Sequence, residues 1–207
     1  TVDTAKKYHT IDKIVYILGS DFFNSDTYFN TTTNGTQQDN ALHFDKAFEL
    51  GLNLSINCID YLIENANNVC VIQLSGNHDL TSSYYLGKTV EAYYRNVTNI
   101  TFDSVFSIRK CITLGNTSIM FHHGNLDLKY GKDMFANFFP KEYTNKFIEL
   151  FVGDKHQAIY QFRGSRDALT GFEKTADEIF YLTQTFRYGD NLAKVASSFL
   201  KNYKNES

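Results

Sequence analysis

The pattern of apolar and polar positions predicts strands and helices in alternation along the first two thirds of the chain. Residues 13–18 (KIVYIL) and 69–74 (VCVIQL) are short apolar runs rich in β-branched residues, which is typical of buried strands. Between these runs, apolar residues recur over 40–65 at the spacing of an amphipathic helix. The two runs and the intervening helix therefore predict a β–α–β unit.

The segments around this unit extend the same α/β pattern. Residues 19–40 are polar and rich in Thr, Asn and Gly, which predicts a long loop, and long loops often carry function. A second helix is predicted over 84–95, and three short strands within 98–122, with a hairpin turn at Gly115-Asn116. We therefore expect a layered α/β fold, with a sheet flanked by helices and a site at the strand ends.

Composition and charge narrow the class of protein. The 207 residues are 43% hydrophobic and 21% charged, which is enough to bury a core. A net charge of −3 argues against a chain that binds polyanions over its whole surface. The three cysteines form no Cys-x-x-Cys pair, which favours reduced thiols in a cytoplasmic protein. No apolar run approaches the ~20 residues of a membrane span, so no membrane association is expected.

Polar residues follow three of the predicted strands, where an open α/β sheet places its site. The segment ILGSDFFNSD contains Asp21, GNHD contains Asn77, and FHHGN contains His123. Carboxylate, amide and imidazole groups are ligands that divalent metals accept. Two metals about 3.5–4 Å apart can bridge a hydroxide and clamp a phosphate, so these residue types suit phosphoester hydrolysis.

These segments resemble the signature blocks of the calcineurin-like metallophosphoesterases, especially phage and bacterial members, over roughly residues 1–145. The resemblance implies a metal-dependent phosphoester hydrolase, with nucleic acid among its candidate substrates. Mn²⁺ is the expected metal, with Fe, Zn²⁺ or Ni²⁺ as alternatives. The resemblance also implies the following roles: Asp21, Asn77 and His123 as metal ligands, His78 as the catalytic imidazole, Asp79 as its orienting partner, and Asp26 or Asn24 as support for Asp21.

The chain departs from this family at two blocks. The family begins with Asp-x-His and ends with Gly-His-x-His, but the sequence has no Gly-His dipeptide and no Asp-x-His before residue 13. We therefore expect a domain over 1–145 that lacks its first and last metal-binding blocks, and a partner chain could supply the missing ligands of a two-metal site. The single Asp-x-His, at 154–156, would open the domain only in a circularly permuted enzyme.

The remainder of the chain, 146–207, has a second resemblance. The segments FVGDKHQAIYQFRGSRDAL and LTQTFRYGDNLAKVASSFL are similar to consecutive motifs of UvrD-like superfamily 1 DNA helicases, over about 147–200. A short α/β helicase-like segment is therefore expected after the first domain. The resemblance implies these roles: Gln157 and Arg187 as contacts to the phosphates of ATP with Mg²⁺, Tyr160 and Phe162 as stacking platforms for single-stranded DNA, and Arg163 as a further contact to the strand.

The two resemblances leave three hypotheses for function. The first and favoured one is a metal-dependent phosphoester hydrolase. The second is a fragment that binds ATP or single-stranded DNA. The absence of Gly-x-x-x-x-Gly-Lys-Ser/Thr from the sequence argues against a complete ATP-driven motor. The third is an inactive remnant of a fusion between the two segments.

Overall fold

A computed structural model describes two stretches of the chain together with a few further positions. The described residues are 2–124, 134–142, the backbone of 146–149, and the isolated positions 179, 194 and 198. The chain divides into two compact units, Thr1–Leu150 and Phe151–Ser207. The fold below is that of the first unit, which holds nearly all of the described residues.

The described part of the first unit contains four helices and six strands. The helices are α1 (Val2–Lys6), α2 (Phe44–Asn65), α3 (Leu80–Tyr93) and α4 (Met134–Phe138). The strands are β1 (Lys13–Gly19), β2 (Asn68–Leu74), β3 (Ile100–Asp103), β4 (Arg109–Leu114), β5 (Thr117–His122) and β6 (Lys146–Glu149). The prediction of an α/β fold is confirmed, and both apolar runs and the hairpin form strands as expected.

The first sheet is parallel, in the order β1-β2-β3. Strands β1 and β2 pair residue for residue until Gly19 lies opposite Leu74, so both end at the same edge. The helices α2 and α3 provide the crossovers that parallel strands require. The loops that follow β1 and β2 therefore leave the sheet side by side, which brings Asp21 near residues 76–79.

One apolar core joins this sheet to its two long helices. The central strand β2 is buried along almost its whole length, as expected for a parallel strand covered by helices. The core residues are Leu18, Phe23, Ile59, Leu62, Val69, Val71, Leu86, Val90, Tyr94 and Ile100. Because this core lies against the strands, it fixes the positions at which β1 and β2 end.

The second sheet contains β4, β5 and β6. Strands β4 and β5 are antiparallel and are joined at Gly115, whose φ of +60° suits a tight turn. Strand β6 pairs with β5 in parallel. It contains the first three residues of FIELFVG (147–153), an apolar run whose sequence predicts a strand and whose other residues lie outside the described part of the chain. The end of β5 leads directly into His123.

Two helix starts differ from the sequence predictions. The helix predicted from residue 40 begins at Phe44, because the side chain of Asn40 donates hydrogen bonds to Ser25 and Asn30 in the preceding loop. The helix predicted from residue 84 begins four residues earlier, at Leu80.

No helix in the described part of the chain combines the length and apolar character that crossing a bilayer requires.

Candidate metal centre

The chain turns sharply as it leaves β1. Gly19 has a φ of +123°, and a side chain at this position would overlap the backbone carbonyl of Leu74. The next two residues, Ser20 and Asp21, also have left-handed φ values of 68° and 56°. Non-glycine residues in this region are strained by roughly 1–2 kcal/mol each. The Ser20 N–H donates to the Leu74 carbonyl at 2.7 Å, which anchors the turn to β2.

The three predicted metal ligands meet at the strand ends. The His123 Nε2 atom lies 2.5 Å from the Asn77 side-chain oxygen and 3.2 Å from Asp21 Oδ2. The three residues come from the loop after β1, the loop after β2 and the end of β5. The structure thus brings together one carboxylate oxygen, one amide oxygen and one imidazole nitrogen that lie far apart in the sequence.

The contacts of Asp21 and His123 stabilise the charged form of each side chain. Burial alone would raise the pKa of Asp21, but the hydrogen bonds from His123 and from the His78 N–H lower it below the usual value. The hydrogen bond to Asp21 raises the pKa of His123, against the opposing effect of its burial. A carboxylate kept ionised near neutral pH is suited to bind a cation.

His78 contributes both its backbone and its ring. Its N–H donates to Asp21 Oδ1 at 2.9 Å, which holds that carboxylate in place. Its ring Nδ1 lies 3.1 Å from the backbone carbonyl of Asn24, the residue predicted to support Asp21. Because a carbonyl only accepts, the proton of a neutral His78 ring lies on Nδ1, and its Nε2 carries a lone pair.

Asp79 is fully buried and fastens the two loops to each other. Its Oδ2 accepts a hydrogen bond from the Phe23 N–H at 2.9 Å, and its Oδ1 accepts one from the Gly76 N–H at 3.1 Å. Burial raises the pKa of this carboxyl above its usual value, even though these backbone donors act in the opposite direction. Both of its oxygens thus contact backbone amides, which is a structural role that the sequence did not suggest.

Asp26, the other residue predicted to support Asp21, lies at the N-terminus of α3. Its carboxylate accepts hydrogen bonds from the Thr81 N–H at 3.1 Å, the Ser82 N–H at 2.7 Å and the Thr33 hydroxyl at 2.8 Å. The Thr33 hydroxyl oxygen accepts in turn from the Leu80 N–H at 3.1 Å. Two loop side chains therefore cap the helix that begins after the GNHD segment.

Ser20 contacts His123, and the sequence did not predict this contact. Its hydroxyl lies 2.8 Å from His123 Nδ1, the ring nitrogen opposite the one that meets Asn77 and Asp21. The available sequence signal was the serine between Gly19 and Asp21, where the family block has Gly-Asp without an intervening residue. Its partner, 103 positions along the chain, could not be identified from that signal.

The donor atoms of Asp21, Asn77 and His123 are of types that a divalent metal accepts, and a metal bound there would replace the proton that Nε2 shares with the two oxygens. Oxygen and imidazole ligands suit Mn²⁺, Fe, Zn²⁺ or Ni²⁺. Within the described ranges no cluster of three or more His, Cys, Asp or Glu side chains is arranged for a metal, so the set depends on the Asn77 amide. Three protein ligands are too few to hold two metals.

A shallow cleft is present in the described part of the first unit. It is lined by Phe23, Asn24, Ser25, Asn40, Ala41, Leu42, Phe44 and Ala47. Asn24 belongs to the cleft and also contacts the His78 ring through its carbonyl. Because no charged side chain lines the cleft, it favours an uncharged group.

The residues predicted for the helicase-like segment lie outside the described part of the chain. They are Gln157, Tyr160, Phe162, Arg163 and Arg187. Their predicted contacts to nucleotide and to single-stranded DNA stay predictions.

Comparison with known proteins relates part of the chain to a DNA helicase. No protein-family model and no solved structure matches the chain. F-box DNA helicase 1 from Gallus gallus is 45% identical to this chain over 51 residues. The match covers 25% of this chain, and it spans only about a twentieth (5%) of the helicase's own length. A quarter of the chain is thus similar to a small part of a DNA helicase.

Proposed function

We propose that the first unit binds one divalent metal through Asp21, Asn77 and His123, and that this metal supports phosphoester hydrolysis. The observation that carries the proposal is the convergence of these three side chains at the ends of β1, β2 and β5. Each was predicted as a ligand from a separate segment of sequence. Mn²⁺ is the expected metal, and the substrate is a phosphoester, with nucleic acid among the candidates.

A bound divalent cation would act as a Lewis acid on a phosphoryl oxygen and would lower the pKa of a water ligand. The protein's own part begins with Asp21, whose carboxylate is held ionised by His78 and His123. The ring of His78 is fixed through Nδ1 by the Asn24 carbonyl. Once its other nitrogen has taken a proton from water, that nitrogen can give the proton to the leaving oxygen, as general acid–base catalysis requires.

The cleft that Asn24 lines favours an uncharged leaving group for this reaction. The cleft combines apolar side chains with the amides of Asn24 and Asn40. An aryl or nucleoside alcohol would bury its ring there, whereas a second phosphate would find no cationic side chain. A substrate ester of such an alcohol therefore suits the charge and polarity of the lining.

Calorimetric titration of the purified chain with Mn²⁺ tests the metal site. We expect one Mn²⁺ per chain and loss of binding in Asp21→Ala, because the carboxylate is the only anionic ligand of the three. The control is Asp12→Ala, which removes an exposed aspartate just before β1 and should bind as the wild type does. Absence of binding by the wild-type chain would refute the proposal and favour an inactive remnant.

Hydrolysis of diphenyl phosphate in Mn²⁺ tests the catalytic part separately, because the phenolate that leaves is basic enough to need a proton. His78→Ala removes the imidazole but no predicted ligand, so it should still bind Mn²⁺. Its rate should fall roughly a hundredfold, which is at the lower end of what general acid–base groups contribute. Equal rates for His78→Ala and the wild type would exclude His78 as the proton donor.

The similarity to F-box DNA helicase 1 favours a second candidate function, single-stranded DNA or ATP binding by the tail. We infer that the matched residues are those of the helicase-like motifs, over about 147–200. Under this proposal Tyr160 and Phe162 stack on bases, with Arg163 nearby. Gln157 and Arg187 contact nucleotide phosphates.

Fluorescence anisotropy with labelled oligo-dT tests the tail. Wild-type binding should weaken as salt rises, because cations are released from the strand when protein binds. Tyr160→Ala should weaken binding about tenfold, since one base stack contributes ~1–3 kcal/mol. Tyr8→Ala, which removes an exposed tyrosine from the first unit, is the control and should leave binding unchanged. Binding that is insensitive to Tyr160→Ala would contradict the stacking role.

A further inference from the structure

Ser20 connects the turn after β1 to the imidazole of His123. Its hydroxyl lies 2.8 Å from Nδ1, while Nε2 of the same ring meets Asn77 and Asp21. The ring is therefore held from both sides. Without the Ser20 contact, a half-turn of the imidazole about its Cβ–Cγ bond would place carbon where Nε2 now lies.

We propose that Ser20 is a positioning residue that holds His123 with Nε2 towards Asn77 and Asp21. This inference rests on the proposed function, in which those three side chains bind a metal. An imidazole binds a metal through one nitrogen, and the partner of its other nitrogen selects which one. A serine hydroxyl can donate or accept, so Ser20 can serve His123 whether or not Nδ1 carries the proton.

The backbone conformation of Ser20 supports a role for its side chain. A φ of 68° is strained for serine but costs glycine nothing. The strained residue stands directly between Gly19 and the ligand Asp21. Strain of this kind persists where surrounding contacts impose it, and it often marks a functional position. The hydrogen bond to His123 is the one side-chain contact here that glycine could not make.

A Ser–His–Asp hydrolase is a different interpretation of the same three groups. In such an enzyme the serine attacks the substrate, and free backbone N–H groups stabilise the oxyanion. Here the Ser20 N–H already donates to the Leu74 carbonyl, and the His78 N–H donates to Asp21. The Asn77 oxygen is also closer to Nε2 than the Asp21 carboxylate is. The geometry therefore favours ring positioning over nucleophilic attack.

Three serine variants test the inference through Mn²⁺ affinity. Ser20→Ala and Ser20→Gly both remove the hydroxyl, but glycine also relieves the left-handed strain. We expect both to bind Mn²⁺ about tenfold more weakly than the wild type, the lower end of the effect of removing an outer-shell partner. The matched control is Ser25→Ala, which removes a buried hydroxyl from the same loop that contacts Asn40 instead of His123. It should bind as the wild type does.

The ¹⁵N signals of the metal-free His123 ring give a readout that general destabilisation would not produce. In the wild type, at a pH at which the ring is neutral, the two ring nitrogens should have distinct shifts, because only one of them carries a proton. In Ser20→Ala both signals should broaden and move from their wild-type values, because a half-turn of the ring takes each nitrogen away from its wild-type partner, while Ser25→Ala should match the wild type. Unchanged shifts in Ser20→Ala would overturn the inference.

The two measurements separate this inference from the proposed function. Wild-type binding of Mn²⁺ with equal affinity in both Ser20 variants would overturn the positioning role and leave the metal site intact. Failure of the wild type to bind Mn²⁺ would instead refute the proposed function. In that case the His123 ring signals would still show whether Ser20 holds the ring.

Discussion

Gly76→Ala is expected to destabilise the first unit by at least about 4 kcal/mol and to abolish Mn²⁺ binding. A methyl group at this position would overlap both the backbone nitrogen and the carboxylate of Asp21. Overpacking against flexible side chains typically costs ~1–3 kcal/mol, and a backbone atom cannot move aside as a side chain can. The Gly76 N–H also donates to buried Asp79, so displacement of residue 76 would break that contact.

Urea denaturation of the variant and the wild type measures this effect, followed by Mn²⁺ calorimetry. Gly115→Ala is a suitable control, because its added methyl group would lie in open space at the β4–β5 turn. That variant should lose only about 1–2 kcal/mol, the cost of a left-handed conformation for alanine, and should keep its Mn²⁺ affinity. Comparable losses for the two variants would show that the approach of Asp21 to Gly76 is looser than the structure indicates.

The strands and the strand-end residues could be predicted because their signals are local. Each buried strand is a short apolar run, and the chain direction alone places Asp21, Asn77 and His123 after the ends of three such runs. That those three side chains converge was an expectation from the resemblance. The strand register, with Gly19 opposite Leu74, gives the physical reason why the first two loops are neighbours.

The contacts that hold these loops could not be predicted, because they join residues far apart in the sequence. Ser20 reaches His123 across 103 positions, and Asp79 reaches the Phe23 N–H across 56. Such contacts produce no periodic pattern of apolar and polar residues along the sequence. The start of α3 is a similar case, since Leu80 has no capping side chain in its own segment. Its cap comes from Asp26 and Thr33, so a local window places the helix too late.

The strand after residue 145 shows that similarity to a short motif does not establish which part of the fold a segment belongs to. FIELFVG was assigned to the helicase-like segment on its sequence, but its first three residues, together with Lys146, form β6 beside β5. Strand β6 thus extends the sheet whose central strand β5 ends at His122, next to His123. The boundary between the two compact units falls after this strand, between Leu150 and Phe151. A strand belongs to the sheet with which it forms hydrogen bonds, and similarity to a sequence motif does not show which strands pair.

Asp26→Ala is expected to destabilise the first unit by about 3 kcal/mol at neutral pH. The substitution leaves the Thr81 and Ser82 N–H groups and the Thr33 hydroxyl without their acceptor. Ser82 is buried, and a buried donor without a partner costs roughly 1–3 kcal/mol; a negative charge at a helix N-terminus also interacts favourably with the helix dipole. Because α3 follows directly after Asp79, we expect its first turn to fray.

The pH dependence of this effect identifies the carboxylate as its source. Burial alone would raise the pKa of Asp26, but the hydrogen bonds from Ser82, Thr33 and Thr81 lower it below 3.8, its usual value. The stabilisation is therefore complete above the pKa of the unfolded chain and is lost as the pH falls through the lower pKa of the folded protein. The stability difference between wild type and Asp26→Ala should be constant from pH 7 to about 5 and then shrink towards pH 2.

Urea denaturation of both proteins across this pH range gives the measurement, with Asp45→Ala as the control. Asp45 also lies in the first turn of a helix and also has a lowered pKa, chiefly through a hydrogen bond with His43, but it is exposed. Exposed pairs contribute little to stability because water screens them. Asp45→Ala should therefore unfold almost as the wild type does at every pH. A stability difference for Asp26→Ala that does not change with pH would show that lost packing, and not the charged cap, accounts for the effect.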